Sequence, residues 1–122
     1  MSKLLNQNFG SVNLTQINVS PKVSVTQGTN LGTTVTINSP SGWINTVTTT
    51  LATQGSTTFT CSNNCVNTSK MVIATIQGYT GTVGSPAVYV KSVANGNFTL
   101  TVQNRDQTNA LNGSIKIGYV LM

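Results

Sequence analysis

Few side chains in this sequence can move a proton, hold a metal or attack a bond. Asp106 is the only carboxylate side chain, and histidine is absent. General acid–base catalysis relies on a His, Glu or Asp tuned toward the working pH, so no carboxylate pair and no Ser–His–Asp triad can be assembled. Zinc lacks ligands, and a calcium cage would have a single carboxylate. Cys61 and Cys65 enclose Ser62-Asn63-Asn64, three residues where a thiol redox motif has two. Two readings of the pair stand: small buried hydrophobes, or a short disulfide clamping the loop after the strand that carries Cys61. The inventory points away from an enzyme and from any cofactor.

Charge narrows the field further. Lys and Arg total 6 against that one Asp, a formal net charge of +5 over 122 residues. The cations, Lys3, Lys22, Lys70, Lys91, Arg105 and Lys116, are dispersed and are not interleaved with aromatic platforms, which argues against nucleic acid as a partner. No stretch approaches the ~20 apolar residues of a membrane span. The opening MSKLLNQNFG carries no apolar core of signal-peptide length, so synthesis in a cytoplasm is expected.

The elements that must position these residues are strands. Thr (21), Asn (15) and Ser (12) make up 48 of the 122 residues. β-branched Thr, Val and Ile suit a pleated surface, while Asn and Ser compete with helical hydrogen bonds. Residues 1–10 read as an extended arm whose Leu4, Leu5 and Phe9 are too few for a core, so they are expected to dock on this domain or a neighbour. Residues 11–122 read as one domain. Weak strands are expected at 11–19 and 22–26, then 33–38 with Val35 and Ile37 on one face. Strand 43–51 is expected to carry Trp43, Val47 and Leu51 in one phase, and strand 57–61 to turn Phe59 inward. Lys70 to Tyr79 is apolar in both phases, as in a central strand covered on both sides. Asn95-Gly96 signals a hairpin between strand 87–93 and the row Phe98, Leu100, Val102. Asn104 to Asn112 reads as a polar loop, and Ile115, Ile117, Tyr119 and Leu121 share the phase of the last strand. Eight short strands give an all-β, antiparallel two-sheet sandwich of jelly-roll or Greek-key type.

Other candidates have bland readings. Trp43, Tyr79 and Tyr89 read first as core residues, with Trp43 capping one end of the sandwich; the alternative is an aromatic platform for a glycan. Lys91 and Lys116 read as solvated or edge-protecting charges. Arg105 and Asp106 suit a local turn interaction or a subunit contact. The Asn-X-Ser/Thr matches at Asn13, Asn18, Asn67, Asn97 and Asn112 are what this composition yields by chance.

From Gly42 onward the sequence resembles a β-sandwich module of virion structural proteins, found in tailed bacteriophages and in large algal and amoebal viruses. The residues that carry the resemblance are the Thr-rich stretch Ile44–Thr60, the run from Asn67 to Ala74, Gln77–Gly81, Val90–Thr99 and the end from Asn109 to Tyr119. The resemblance implies a structural role on the virion surface and no active-site residue. Taken with the extended arm and the lack of catalytic residues, it leads to an expected capsid decoration or cement protein whose partner is the major capsid protein or another virion protein; because Thr-rich strands bury little apolar area each, a homo-oligomer with a trimer favoured is expected as well. Attachment would run through Leu4, Leu5 and Phe9. The alternative is a receptor-binding or fibre-tip module using loops near Trp43, Tyr79 and Arg105.

Overall fold

A computed structural model of the chain describes residues 23–122. The expected arm at 1–10, with Leu4, Leu5 and Phe9, and the expected strand 11–19 lie outside the described residues. Every regular element within them is a strand: β1 (Val23–Thr26), β2 (Val35–Thr36), β3 (Ser41–Asn45), β4 (Ser56–Ser62), β5 (Val72–Tyr79), β6 (Pro86–Ala94), β7 (Asn97–Asn104) and β8 (Ile115–Leu121). They form two four-stranded sheets packed face to face, as the alternating pattern predicts. Sheet I has the order β1-β3-β8-β5 and sheet II the order β2-β4-β7-β6. Only β6 and β7 follow each other within one sheet; every other connection crosses from one sheet to the other.

The central pairings, and those at the β5 and β6 edges, are antiparallel. The outermost pairings of β1 with β3 and of β2 with β4 are parallel, a feature absent from the sequence expectation. Crossing connections explain it, because a parallel neighbour needs a long return path rather than a two-residue turn. The one tight hairpin is Asn95-Gly96, where Gly96 adopts φ 86°. That value lies in the region where a Cβ is strained and glycine is not.

The core lies between the two central pairs. Phe98, Leu100 and Val102 of β7 are fully buried, as are Ile44 of β3, Phe59 and Cys61 of β4 and Ile117 of β8. Each set occupies every second position, so one face of each strand supplies the core. Phe98 and Tyr119 join the sheets with ring centroids 5.2 Å apart and planes tilted by 49°.

Three sequence expectations need correction. Lys70 to Tyr79 is not a central strand: β5 pairs only with β8 and forms an edge of sheet I. Its second apolar phase faces outward, with Ile73 at 45% exposure. The strand expected at 43–51 ends at Asn45, and its inward phase is Gly42 and Ile44, so Trp43 turns away from the core. Tyr89 also faces out, on sheet II, at 52% exposure.

Polar residues close the ends of the sandwich. Asn104, at the end of β7, is fully buried. Its Nδ2 donates to the carbonyls of Leu51, Ala52 and Asn109 at 3.2, 3.2 and 2.8 Å. Its Oδ1 accepts from the amides of Ser85 and Asp106, both at 3.1 Å. At the other end Asn63 donates through Nδ2 to Ser39 O (2.8 Å) and the Tyr119 hydroxyl (3.2 Å), while its Oδ1 accepts from Cys65 N (2.7 Å). Replacing Asn104 by Ala strands several buried donors and acceptors at once, each worth ~1–3 kcal/mol when left unpaired. Asn104→Ala is expected to lower stability by about 3 kcal/mol, read as a lower urea midpoint with an unchanged slope.

Candidate functional site

The two outer faces of the sandwich are chemically unlike. On sheet II, outward side chains of β4, β6 and β7 include hydroxyls that satisfy one another. The Thr58 and Thr101 hydroxyls bond at 2.8 Å, and those of Ser92 and Thr99 at 2.6 Å. Such cross-strand pairs are the sheet's own stabilising unit. They account for much of the threonine content of β4 and β7.

Sheet I presents something different. Its register places Ser41, Val120 and Ile73 in one outward row, Trp43, Gly118 and Thr75 in the next, and Asn45 with Lys116 in the third. Gly118 leaves the middle of the central strand without a side chain, and Gln77 lies across it: a Cβ there would meet Gln77 Cγ at 3.0 Å. The result is a groove of about 260 Å³ walled by Trp43, Ile73 and Val120. Beyond its apolar end, Met71 and Met122 are 62% and 67% exposed and exchange backbone hydrogen bonds of 3.0 and 2.8 Å.

Trp43 divides this groove from a second, polar hollow of about 310 Å³ lined by Ser24, Asn45 and Lys116. The Lys116 ammonium lies 3.6 Å from the Trp43 ring centroid. At an exposed site such a cation–π contact contributes ~0.5–1 kcal/mol, a bias toward this pairing of the two side chains. Lys116 is exposed, as a solvated charge should be, but its strand is central, so it does not guard an edge. Lys91 fits its expectation better, since it sits exposed where the register of edge strand β6 shifts between Val90 and Ser92.

The remaining candidates lie apart from this groove. Tyr79 ends β5, and its hydroxyl donates to Val83 O at 2.6 Å and accepts from Asn112 N at 2.8 Å. It ties the loop after β5 to the strand entering β8. Glycines are required at that crossing, because a Cβ on Gly113 would collide with the Gly81 backbone. Arg105 is exposed, and its amide donates to Ser85 O at 2.8 Å. Asp106 turns to its own loop: Oδ1 accepts from the amides of Thr108 (2.8 Å) and Asn109 (3.0 Å). Those two amides hold its carboxyl below the usual carboxylate range. Neither Tyr79 nor Arg105 lines the groove beside Trp43.

Cys61 and Cys65 are both free thiols. Cys61 points into the core from β4, and burial pushes its thiol up to about 12. Cys65 is partly exposed, with Sγ 3.4 Å from Asn64 Oδ1. Among the described residues no three His, Cys, Asp or Glu side chains group to hold a metal.

Comparison with protein-family models, curated proteins and solved structures finds no match for this chain.

Two outcomes follow from the buried groups. Under native conditions an alkylating reagent is expected to modify one thiol, Cys65, and both after unfolding, read by intact mass. Two modified thiols in the folded protein, or none, would contradict the burial difference. Stability should also depend on alkaline pH. The Cys61 thiol rises from 9.0 to about 12 in the fold. Burial, with a smaller contribution from Cys61, raises the Tyr119 phenol from 10.0 to about 12. Between these limits the unfolded chain has lost protons that the folded chain retains, so stability falls as pH rises from 9 toward 12. The urea midpoint is expected to drop across that window, and Cys61→Ala to flatten its lower part. A midpoint constant to pH 11 would contradict it.

Proposed function

We propose that this chain is a non-enzymatic virion structural protein, a capsid decoration or cement protein that binds the outer shell at subunit junctions and stabilises it. The observation that carries this reading is the apolar strip on sheet I that no other described residue covers, running from Trp43 through Val120 and Ile73 to Met71. Contiguous apolar patches of this kind mark interaction surfaces. The sequence resemblance supplies the virion setting, residence on the capsid surface after synthesis in the host cytoplasm, and the small apolar burial of Thr-rich strands favours a homo-oligomer, trimer first. The partner is the major capsid protein or another virion protein, with no membrane, nucleic acid or cofactor involved. Residues 1–10, with Leu4, Leu5 and Phe9, would add a second point of attachment. Repetition over many equivalent sites multiplies weak contacts into stable occupancy.

A second reading has one observation in its favour. Trp43, partly exposed and flanked by Ser24, Asn45 and Lys116, offers a ring, a cation and polar groups together. A receptor-binding or fibre-tip module recognising a host glycan or protein would use such a hollow, with Trp43 on a strand rather than a loop.

Particle occupancy separates these readings. Ile73→Asp, at an exposed edge-strand position, is expected to leave the thermal midpoint within a few degrees and to reduce capsid occupancy at least tenfold. Tyr89→Asp, on the opposite face, should retain full occupancy. Deleting residues 1–10 should weaken occupancy as well. Full occupancy by the Ile73 variant would remove this face from attachment, and specific binding of the wild-type chain on a glycan array would favour the receptor reading.

A further inference from the structure

One strand edge of this fold is long and unguarded. Among the described residues sheet I ends at β1 and β5, and sheet II at β2 and β6. β1 and β2 have only four and two residues, too few to template a partner. β6 begins with Pro86, shifts register between Val90 and Ser92, and carries exposed Lys91 at that shift, all features that deter edge pairing. β5 has eight residues, with no proline and no charge among them. Its irregularity lies near its end, between Ile76 and Gly78.

The ladder fixes what that edge offers. Met71 N donates to Met122 O at 3.0 Å, and Met122 N donates to Met71 O at 2.8 Å. In an antiparallel ladder such mutually bonded pairs recur at every second residue, so Ile73 with Val120 and Thr75 with Gly118 are the next ones. The amides and carbonyls of the intervening Val72, Ala74 and Ile76 therefore point away from β8. No described strand lies beyond β5 to receive them. The side chains of Ala74 and Ile76 pack against the core yet stay partly exposed on this flank.

We propose that the β5 edge pairs with the same edge of a second copy of this chain, across a two-fold axis at Ala74. In that register Ala74 faces the partner's Ala74 and Val72 faces the partner's Ile76, so every free amide and carbonyl of these three residues gains a bond. An isologous contact sets a surface against itself, which a charged edge resists. Val72 to Ile76 is the uncharged, self-matching stretch that a chain of net charge +5 needs for such a contact, and it holds no charge that would select an acidic or basic partner instead. On the outer face Ile73 lies beside the partner's Thr75, so the apolar strips of the two copies become one surface. The inference goes beyond the adhesive reading and needs no virion setting; it gives the homo-oligomer a two-fold unit where composition favours a trimer.

Sedimentation equilibrium of the full chain, from dilute solution to about 1 mM, is expected to show a reversible monomer–dimer equilibrium. Residue-resolved amide exchange should slow at least tenfold at Val72, Ala74 and Ile76 as the dimer fills. Ala74→Pro removes a donor that no bond to β8 uses, at an edge position where proline is tolerated, and should leave a folded monomer. Should that variant unfold, Thr75→Lys serves instead. It sets two cations ~7–8 Å apart beside the axis and should weaken dimerisation at least tenfold. A monomer at every concentration, a trimer, a dimer whose three amides exchange at the monomer's rate, or a folded variant that dimerises like the wild type would overturn the proposal. A dimer that occupies no capsid keeps this edge contact and loses the decoration reading. A monomer that occupies capsids does the reverse.

Discussion

The alternation of β7 and β8 is the constraint on which the rest of the molecule depends. Each is a central strand, each turns an uninterrupted buried row toward the other sheet, and Phe98 meets Tyr119 where the rows cross. Core-facing side chains occupy every second position, so the opposite phase of every strand is left over for the outer face. What occupies that second phase differs between the sheets. On sheet II it is largely hydroxyls that pair with one another; on sheet I it is an aromatic ring, a glycine gap, aliphatic side chains and a lysine. The first face is mostly polar, with Tyr89 and Lys91 exposed on its edge strand, whereas the second carries the apolar strip.

Buried asparagines close the sandwich at its ends. Asn104 and Asn63 gather carbonyls and amides from loops distant in sequence, which pairs backbone groups of the irregular connections that pass near a small core. That role explains how a chain so rich in asparagine builds ordered loops, and why its crossing connections need no helices.

Much of the fold was legible because period-two alternation is a strong signal where one face is buried. The rows Phe98–Val102 and Ile115–Tyr119, the inward Phe59 and the Asn95-Gly96 hairpin all sit where the pattern predicts. Asn104 and Asn63 continue the inward phases of β7 and β4, and a polar residue in a core phase was the available sign of a buried hub. The edge position of β5 was not legible. Apolar residues in both phases arise from a covered central strand or from an edge strand with a sticky outer face, and sequence alone does not separate them. The same ambiguity hid Trp43, whose phase depends on where β3 ends. The parallel outer pairings depend on the path of long connections, which local pattern does not encode.

The account centres on one face of one sheet being the adhesive surface. Oxidative footprinting of the chain, alone and on assembled particles, examines that face where it works. The account predicts several-fold protection of Met71 and Trp43 on assembly, with Tyr89 on the opposite sheet oxidised at an unchanged rate. Equal oxidation of Met71 and Trp43 in both states, with protection appearing at Tyr89 instead, would contradict it.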